Sequence, residues 1–139
     1  MRVIVLEDSD IIRNALRERL EDKGYEVFVF ANPLICPLQK IPQCRCMPNE
    51  CCADVLVVDF DMPFISGIEF LKNNMEKGCR AANKLIYSSC LAPDELNECI
   101  TLGFETMKKT MDMANLMAYL EKAEQNIVPG RVLKKWFEG

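Results

Sequence analysis

The sequence predicts an α/β fold: a five-stranded parallel sheet, doubly wound, with helices on both faces. Short apolar runs alternate with helix-period segments through most of the 139 residues, the pattern of successive β/α units. The runs Val3-Ile4-Val5-Leu6 and Val55-Leu56-Val57-Val58 are apolar at every position, which suits strands buried on both faces. Both runs end in acid residues, Glu7-Asp8 and Asp59. Open α/β sheets bind their ligands at such carboxyl ends of strands.

The elements follow in order. Residues 2 to 6 read as the first strand. Residues 10 to 22 read as a helix, with Ile12, Ala15, Leu16 and Leu20 at helical spacing and Gly24 just beyond its end. Tyr25 to Phe30 is a strand. Residues 31–54 carry Pro33, Pro37, Pro42 and Pro48. A proline in a helix interior costs about 3 kcal/mol, so the second helix is expected to be shortened, broken or replaced. Residues 55 to 59 form the third strand, and a helix runs from about Gly67 to Glu76. Lys84 to Ser88 is a strand, and Pro93 to Leu102 is a helix opened by proline. A weak strand at 104 to 108 precedes a helix from Met113 to Gln125. Residues 1–126 are thus expected to form one domain and 127–139 a C-terminal tail. In that tail Val132, Leu133, Trp136 and Phe137 match one apolar helical face, folding back over the domain. Met107, Met111, Met113 and Met117 read as gap-filling core or interface residues around the last helix.

Bulk composition narrows the function. The net charge of −4 disfavours nucleic acid and acidic membrane surfaces. No apolar stretch approaches a membrane span and no signal peptide is visible, so a cytoplasmic location is expected. The chain has no histidine, which removes imidazole as base, nucleophile, ligand or phosphoryl carrier. Glycine-rich phosphate loops and nucleophilic serine motifs are also missing.

What remains is a constellation of carboxylate, hydroxyl and lysine. Where the strand order reverses, beside the first and third strands, Glu7, Asp8 and Asp59 are expected to meet. Close carboxylates repel by on the order of 4 kcal/mol per pair at intermediate dielectric. Mg²⁺ removes that repulsion and holds phosphate through carboxylates, a carbonyl and waters. Ser88 ends the fourth strand and Lys109 follows the fifth, supplying a hydroxyl and a positive charge for phosphoryl oxygens. Phosphoryl transfer to a carboxylate needs these groups.

Val5-Leu6-Glu7-Asp8, Val57-Val58-Asp59-Phe60-Asp61-Met62-Pro63 with Gly67, Ile86-Tyr87-Ser88-Ser89 and Lys109 together resemble the receiver domain of bacterial two-component response regulators. The resemblance covers residues 1 to about 126, apart from the cysteine-rich segment. It implies a flavodoxin-like receiver fold with strand order 2-1-3-4-5. It further implies that Asp59 is the phosphoacceptor, fed by a phosphohistidine on a histidine kinase or phosphotransfer protein. Asp8 and the Asp61 carbonyl would join Asp59 in binding Mg²⁺, with Glu7 acting through water. Ser88 and Lys109 would contact the phosphoryl group. A downstream protein would read the change through the fourth helix, fifth strand and fifth helix. The reading is also compatible with a homodimer. The domain would stand alone, without an output domain, and would be a signalling phosphoacceptor rather than an enzyme on other substrates.

Three positions depart from the family pattern. Thr110 follows the lysine where proline is usual, Thr106 occupies the aromatic switch position, and the loop from Gly103 is short enough that Lys108 competes with Lys109. Asp59-Phe60-Asp61 also fits the nucleophile motif of haloacid-dehalogenase-like phosphatases. Those enzymes, however, place that motif on the first strand and need further acid residues after the lysine.

Eight cysteines are many for a chain with reduced thiols. Cys36, Cys44, Cys46, Cys51 and Cys52 cluster in the proline-rich segment. Four of the five suffice for a tetrahedral Zn²⁺ site. A reversible disulfide, an iron–sulfur centre, or reduced thiols packing as small apolar groups would use the same residues. This leaves an alternative function, a receiver-shaped interaction module that senses metal or thiol redox state. Cys79, Cys90 and Cys99 read as ordinary core or surface residues.

Overall fold

The structure, a computed structural model, describes residues 1–109 and 113–135. Thr110, Met111, Trp136 and Phe137, singled out above, lie outside the described residues. Five parallel strands form the main sheet: β1 (Arg2–Leu6), β2 (Glu26–Phe30), β4 (Val55–Asp59), β5 (Asn83–Ser88) and β6 (Glu105–Lys108). Their order is β2-β1-β4-β5-β6, which is the predicted 2-1-3-4-5 when these strands alone are counted. Helices α1 (Asp10–Asp22), α3 (Gly67–Glu76), α4 (Pro93–Leu102) and α5 (Met113–Gln125) connect or follow them.

Alternation along each strand divides the interior into two cores. Ile4, Leu6, Leu56, Val58 and Ile86 face Ile68, Phe70 and Leu71 of α3 and Cys99 of α4. Val3, Val5, Val55, Val57, Leu85 and Tyr87 face Leu16 and Leu20 of α1 and Leu116, Leu120 and Ala123 of α5. Met107, Met113 and Met117 pack at the margin of this second core. Each fully buried leucine contributes about 1.5–3 kcal/mol relative to exposure. Residues 3–6 of β1 and 55–58 of β4, which serve both cores, therefore include no polar residue before the acids that follow them.

The segment between β2 and β4 makes no full helix. A 3₁₀ turn at Pro33–Ile35 is followed by the single-turn α2 (Pro37–Lys40) and the two-residue β3 (Glu50–Cys51). Pro33 and Pro37 stand at first-turn positions, where a missing N–H costs nothing. The Lys77 ammonium donates to the carbonyls of Leu38 and Gln39 at 3.1 and 2.9 Å, satisfying the end of α2.

The tail departs from expectation. Val132–Leu133 form the extended strand β7, paired in parallel with Glu50–Cys51, rather than a helical face. The reason is local: Glu50 and Cys51 offer an open strand edge, and Val132 N–H bonds to the Asn49 carbonyl at 2.8 Å. None of the described helices is long and apolar enough to cross a membrane.

Candidate functional site

Three strand ends stop at one level. The N–H of Glu7 bonds to the Phe30 carbonyl at 3.0 Å, that of Phe60 to Tyr87 at 2.9 Å, and that of Lys109 to Ser88 at 2.8 Å. The backbone ladder thus continues just past β1, β4 and β6 before the loops leave the sheet. Glu7 continues the Val3 and Val5 side of β1, and Asp59 the Val55 and Val57 side of β4. Both carboxylates project towards the α1/α5 layer, and both are fully buried.

Ligand oxygens of Glu7, Asp8 and Asp59 all lie within 4.8 Å of one another. Asp59 is held from two sides. Its Oδ2 accepts from the Lys109 ammonium at 3.0 Å, and its Oδ1 accepts from the Asp61 N–H at 3.0 Å. Lys109 therefore reaches the carboxylate, whereas Lys108 is exposed on β6 opposite Ser88. Burial opposes charge on Lys109, but its hydrogen bond to Asp59 and the charges of Asp59, Glu7 and Asp8 raise its pKa overall.

Glu7 is the anomaly. Neither of its oxygens has a hydrogen-bond partner; the Asp8 and Asp59 carboxylates stand beside it, and the nearby Tyr87 hydroxyl does not reach hydrogen-bond geometry. A contact between two carboxylates becomes a hydrogen bond only when one of them is protonated. Burial first, then Asp59, pushes Glu7 up to about 8. A hard cation set among the three acids would remove that penalty, and oxygen-only donors are what Mg²⁺ prefers. On this observation the residues present fit a divalent ion.

Ser88 is buried at the end of β5, yet its hydroxyl is engaged with its own loop. Its Oγ donates to the Cys90 carbonyl and accepts from the Cys90 N–H, both at 3.2 Å. Thr106 lies on β6 paired with Ile86. Gly67 sits directly under the site. A Cβ there would stand 2.6 Å from the Asp59 carbonyl oxygen, so only glycine lets α3 begin this close to the strand end. The loop between them holds Phe64 at φ +77° with its ring exposed.

Two neighbours of the site went unread in the sequence. Arg13 donates to the Glu7 carbonyl at 2.9 Å and pairs with Asp10, tying the start of α1 to the end of β1. Tyr87 is buried with its hydroxyl unpartnered. Burial, followed by the charges of Glu7 and Asp59, pushes that hydroxyl well above its ordinary pKa. Its spacing of two from Leu85 was the available signal, since it places both side chains on one face of the sheet.

The fold and this arrangement define a receiver domain. Residues 3–121 match the response regulator receiver domain family, and the chain belongs to that family. Among solved structures, the Vibrio cholerae chemotaxis protein CheY4 is 26% identical, with 88% of this chain and 97% of that one covered, at a TM-score of 0.69. The non-phosphorylated receiver domain of HemR from Leptospira biflexa is 21% identical and covers 92% and 97%, at a TM-score of 0.75. A Francisella response regulator receiver domain, 20% identical over 89% and 96%, superposes at 0.73. The last two show the shared fold. By sequence, no curated protein matches the chain.

Proposed function

We propose that the chain is a phosphoacceptor of two-component signalling, with Asp59 receiving a phosphoryl group from a phosphohistidine on a histidine kinase or phosphotransfer protein. The observation that supports this best is the buried Asp59 carboxylate, held between the Lys109 ammonium and the Asp61 N–H. Its orientation is set before any donor arrives, which lowers the entropy cost of the reaction.

In the proposed step an Asp59 oxygen attacks phosphorus, the Oδ–P bond forms, and the N–P bond of the donor imidazole breaks. Lys109 stabilises the negative charge on the transferring group. Ser88 exchanges its bonds to Cys90 for one to a phosphoryl oxygen. Asp8, Asp59 and the Asp61 carbonyl would hold Mg²⁺, with Glu7 reaching it through water. A bound Mg²⁺ would neutralise the carboxylates and fix the phosphoryl oxygens.

The readout would be a downstream protein, or a second copy of this chain, meeting the face made by α4, β6 and α5. Leu96 and Ile100 already stand exposed on α4. Incubation with an acyl phosphate or phosphoramidate and Mg²⁺ should add the mass of one phosphoryl group. The gain should vanish in Asp59→Asn or in excess chelator. Labelling that persists in Asp59→Asn would overturn the assignment.

A further inference from the structure

We propose that Cys44, Cys46, Cys52 and Cys79 form one four-thiolate site for a thiophilic divalent cation, zinc or ferrous iron, that clamps the segment replacing the second helix. This differs from the set expected from sequence: Cys79 joins, while Cys36 and Cys51 leave. Cys36 shares the apolar core with Cys52 and accepts from the Leu38 and Gln39 N–H groups, but it does not line the space that the other four share. Cys51 faces Asp54, with its sulfur 3.8 Å from Oδ1. Cys51 does not line the space that Cys52 enters.

The four thiols come from three separate places: the loop after α2, the turn before β4 and the loop after α3. They line one small, partly open recess of about 10 Å³ beside Leu38 and Ile41, room for one small ion or water. The Cys46 and Cys52 sulfurs are 3.5 Å apart. A tetrahedral Zn²⁺ with sulfurs at about 2.3 Å has edges of about 3.8 Å, close to that separation. Among the described residues no three sulfurs lie within 4.8 Å of one another, so ligation requires the outer thiols to rotate inward.

Two further features suit thiolates rather than thiols. The Cys46 N–H donates to the Cys44 sulfur at 3.5 Å, and the Ala81 N–H acts in the same way on Cys79. Both are contacts from residue i+2 to a cysteine sulfur. Lys77 and Arg80 line the same space, while Lys84 and Lys134 act on Cys79 and Cys52. A four-thiolate centre with a net charge of −2 is offset by these cations.

The site is at the amino ends of β4 and β5, roughly 20 Å from Asp59 at about 3.3 Å per strand residue. The test is elemental analysis of full-length protein purified without chelator, together with Co²⁺ substitution. About one zinc or iron per chain is expected, and Co²⁺ should show thiolate charge-transfer and tetrahedral ligand-field absorption. Cys52→Ser and Cys79→Ser should lower metal content at least about fivefold, while Cys36→Ser and Cys51→Ser retain it. Circular dichroism of each variant separates lost ligation from lost folding. Metal below about a tenth of an ion per chain in the unsubstituted protein overturns the proposal. So does metal retained in Cys79→Ser, or a Cys46–Cys52 disulfide in metal-free protein as isolated.

Discussion

At the scale of single residues, the site is governed by a conflict at Glu7. The side chain is fully buried among carboxylates with no donor to either oxygen, and its pKa rises from 4.5 to about 8. Folded Glu7 therefore keeps a proton that the unfolded chain releases. Across that interval the native state binds more protons, so the stability of metal-free protein should fall as pH rises from 4.5 to about 8 and level off above. Glu7→Gln keeps the shape and removes the charge. In chelator it should be more stable than the parent by about 1–3 kcal/mol at pH near 8.5, with little difference near pH 5. Urea unfolding at the two pH values measures this, and parallel slopes for parent and variant would sink the idea. The same variant should bind Mg²⁺ more weakly, because a charge that favours the cation is gone.

At the scale of elements, position depends on where backbone meets backbone. Gly67 is the first residue of α3, capped by the Ser66 hydroxyl, which accepts from Glu69 N–H at 3.1 Å. The absent Cβ leaves room for the Asp59 carbonyl. Gly67→Ala must push α3 or the end of β4 aside, at about 1–3 kcal/mol. The expected result is a lower unfolding midpoint together with slower phosphorylation of Asp59. A fall in stability with an unchanged phosphorylation rate would separate the helix start from the site. Such elements were legible where chemistry punctuates the chain. The bounds of α1, α3 and α4 follow from Ser9, Ser66, Pro93 and the left-handed Gly103 at φ +80°. Asp59 and Glu7 were legible because apolar strands end at them. The choice between Lys108 and Lys109 was not, since it depends on how the strand-to-helix loop turns. Nor was the pairing of β3 with β7, because two-residue strands carry no period. Cys79 looked ordinary because its companions are 27 or more residues away in sequence, joined only by folding.

At the scale of the molecule, the end opposite Asp59 is fastened by one buried arginine. Arg2 is 6% exposed, and its guanidinium meets Glu26 through Nε at 3.1 Å and Nη2 at 3.2 Å. Its Nη1 donates to the Cys52 carbonyl at 3.0 Å and the Lys134 carbonyl at 2.7 Å, while the group also lies over the Phe28 ring. One planar fork thus joins β1, β2, the cysteine-rich segment and the tail. Arg131 adds a second tie, an ion pair of 2.8 Å to Asp54, whose other oxygen accepts the Arg2 N–H. Glu26 is half-exposed, so the ion pair itself contributes little. The larger loss on substitution is the two carbonyls left without a donor. Arg2→Met should cost about 2–4 kcal/mol and release residues 127–135, seen as faster amide exchange across Val132 and Leu133. Arg2→Lys should not restore the tail, since an ammonium cannot hold Glu26 bidentately and still reach both carbonyls. Asp59 should phosphorylate at the parental rate in both variants, because the clasp lies at the other end of the sheet. A slowed reaction would show that the tail and the Asp59 site are energetically coupled.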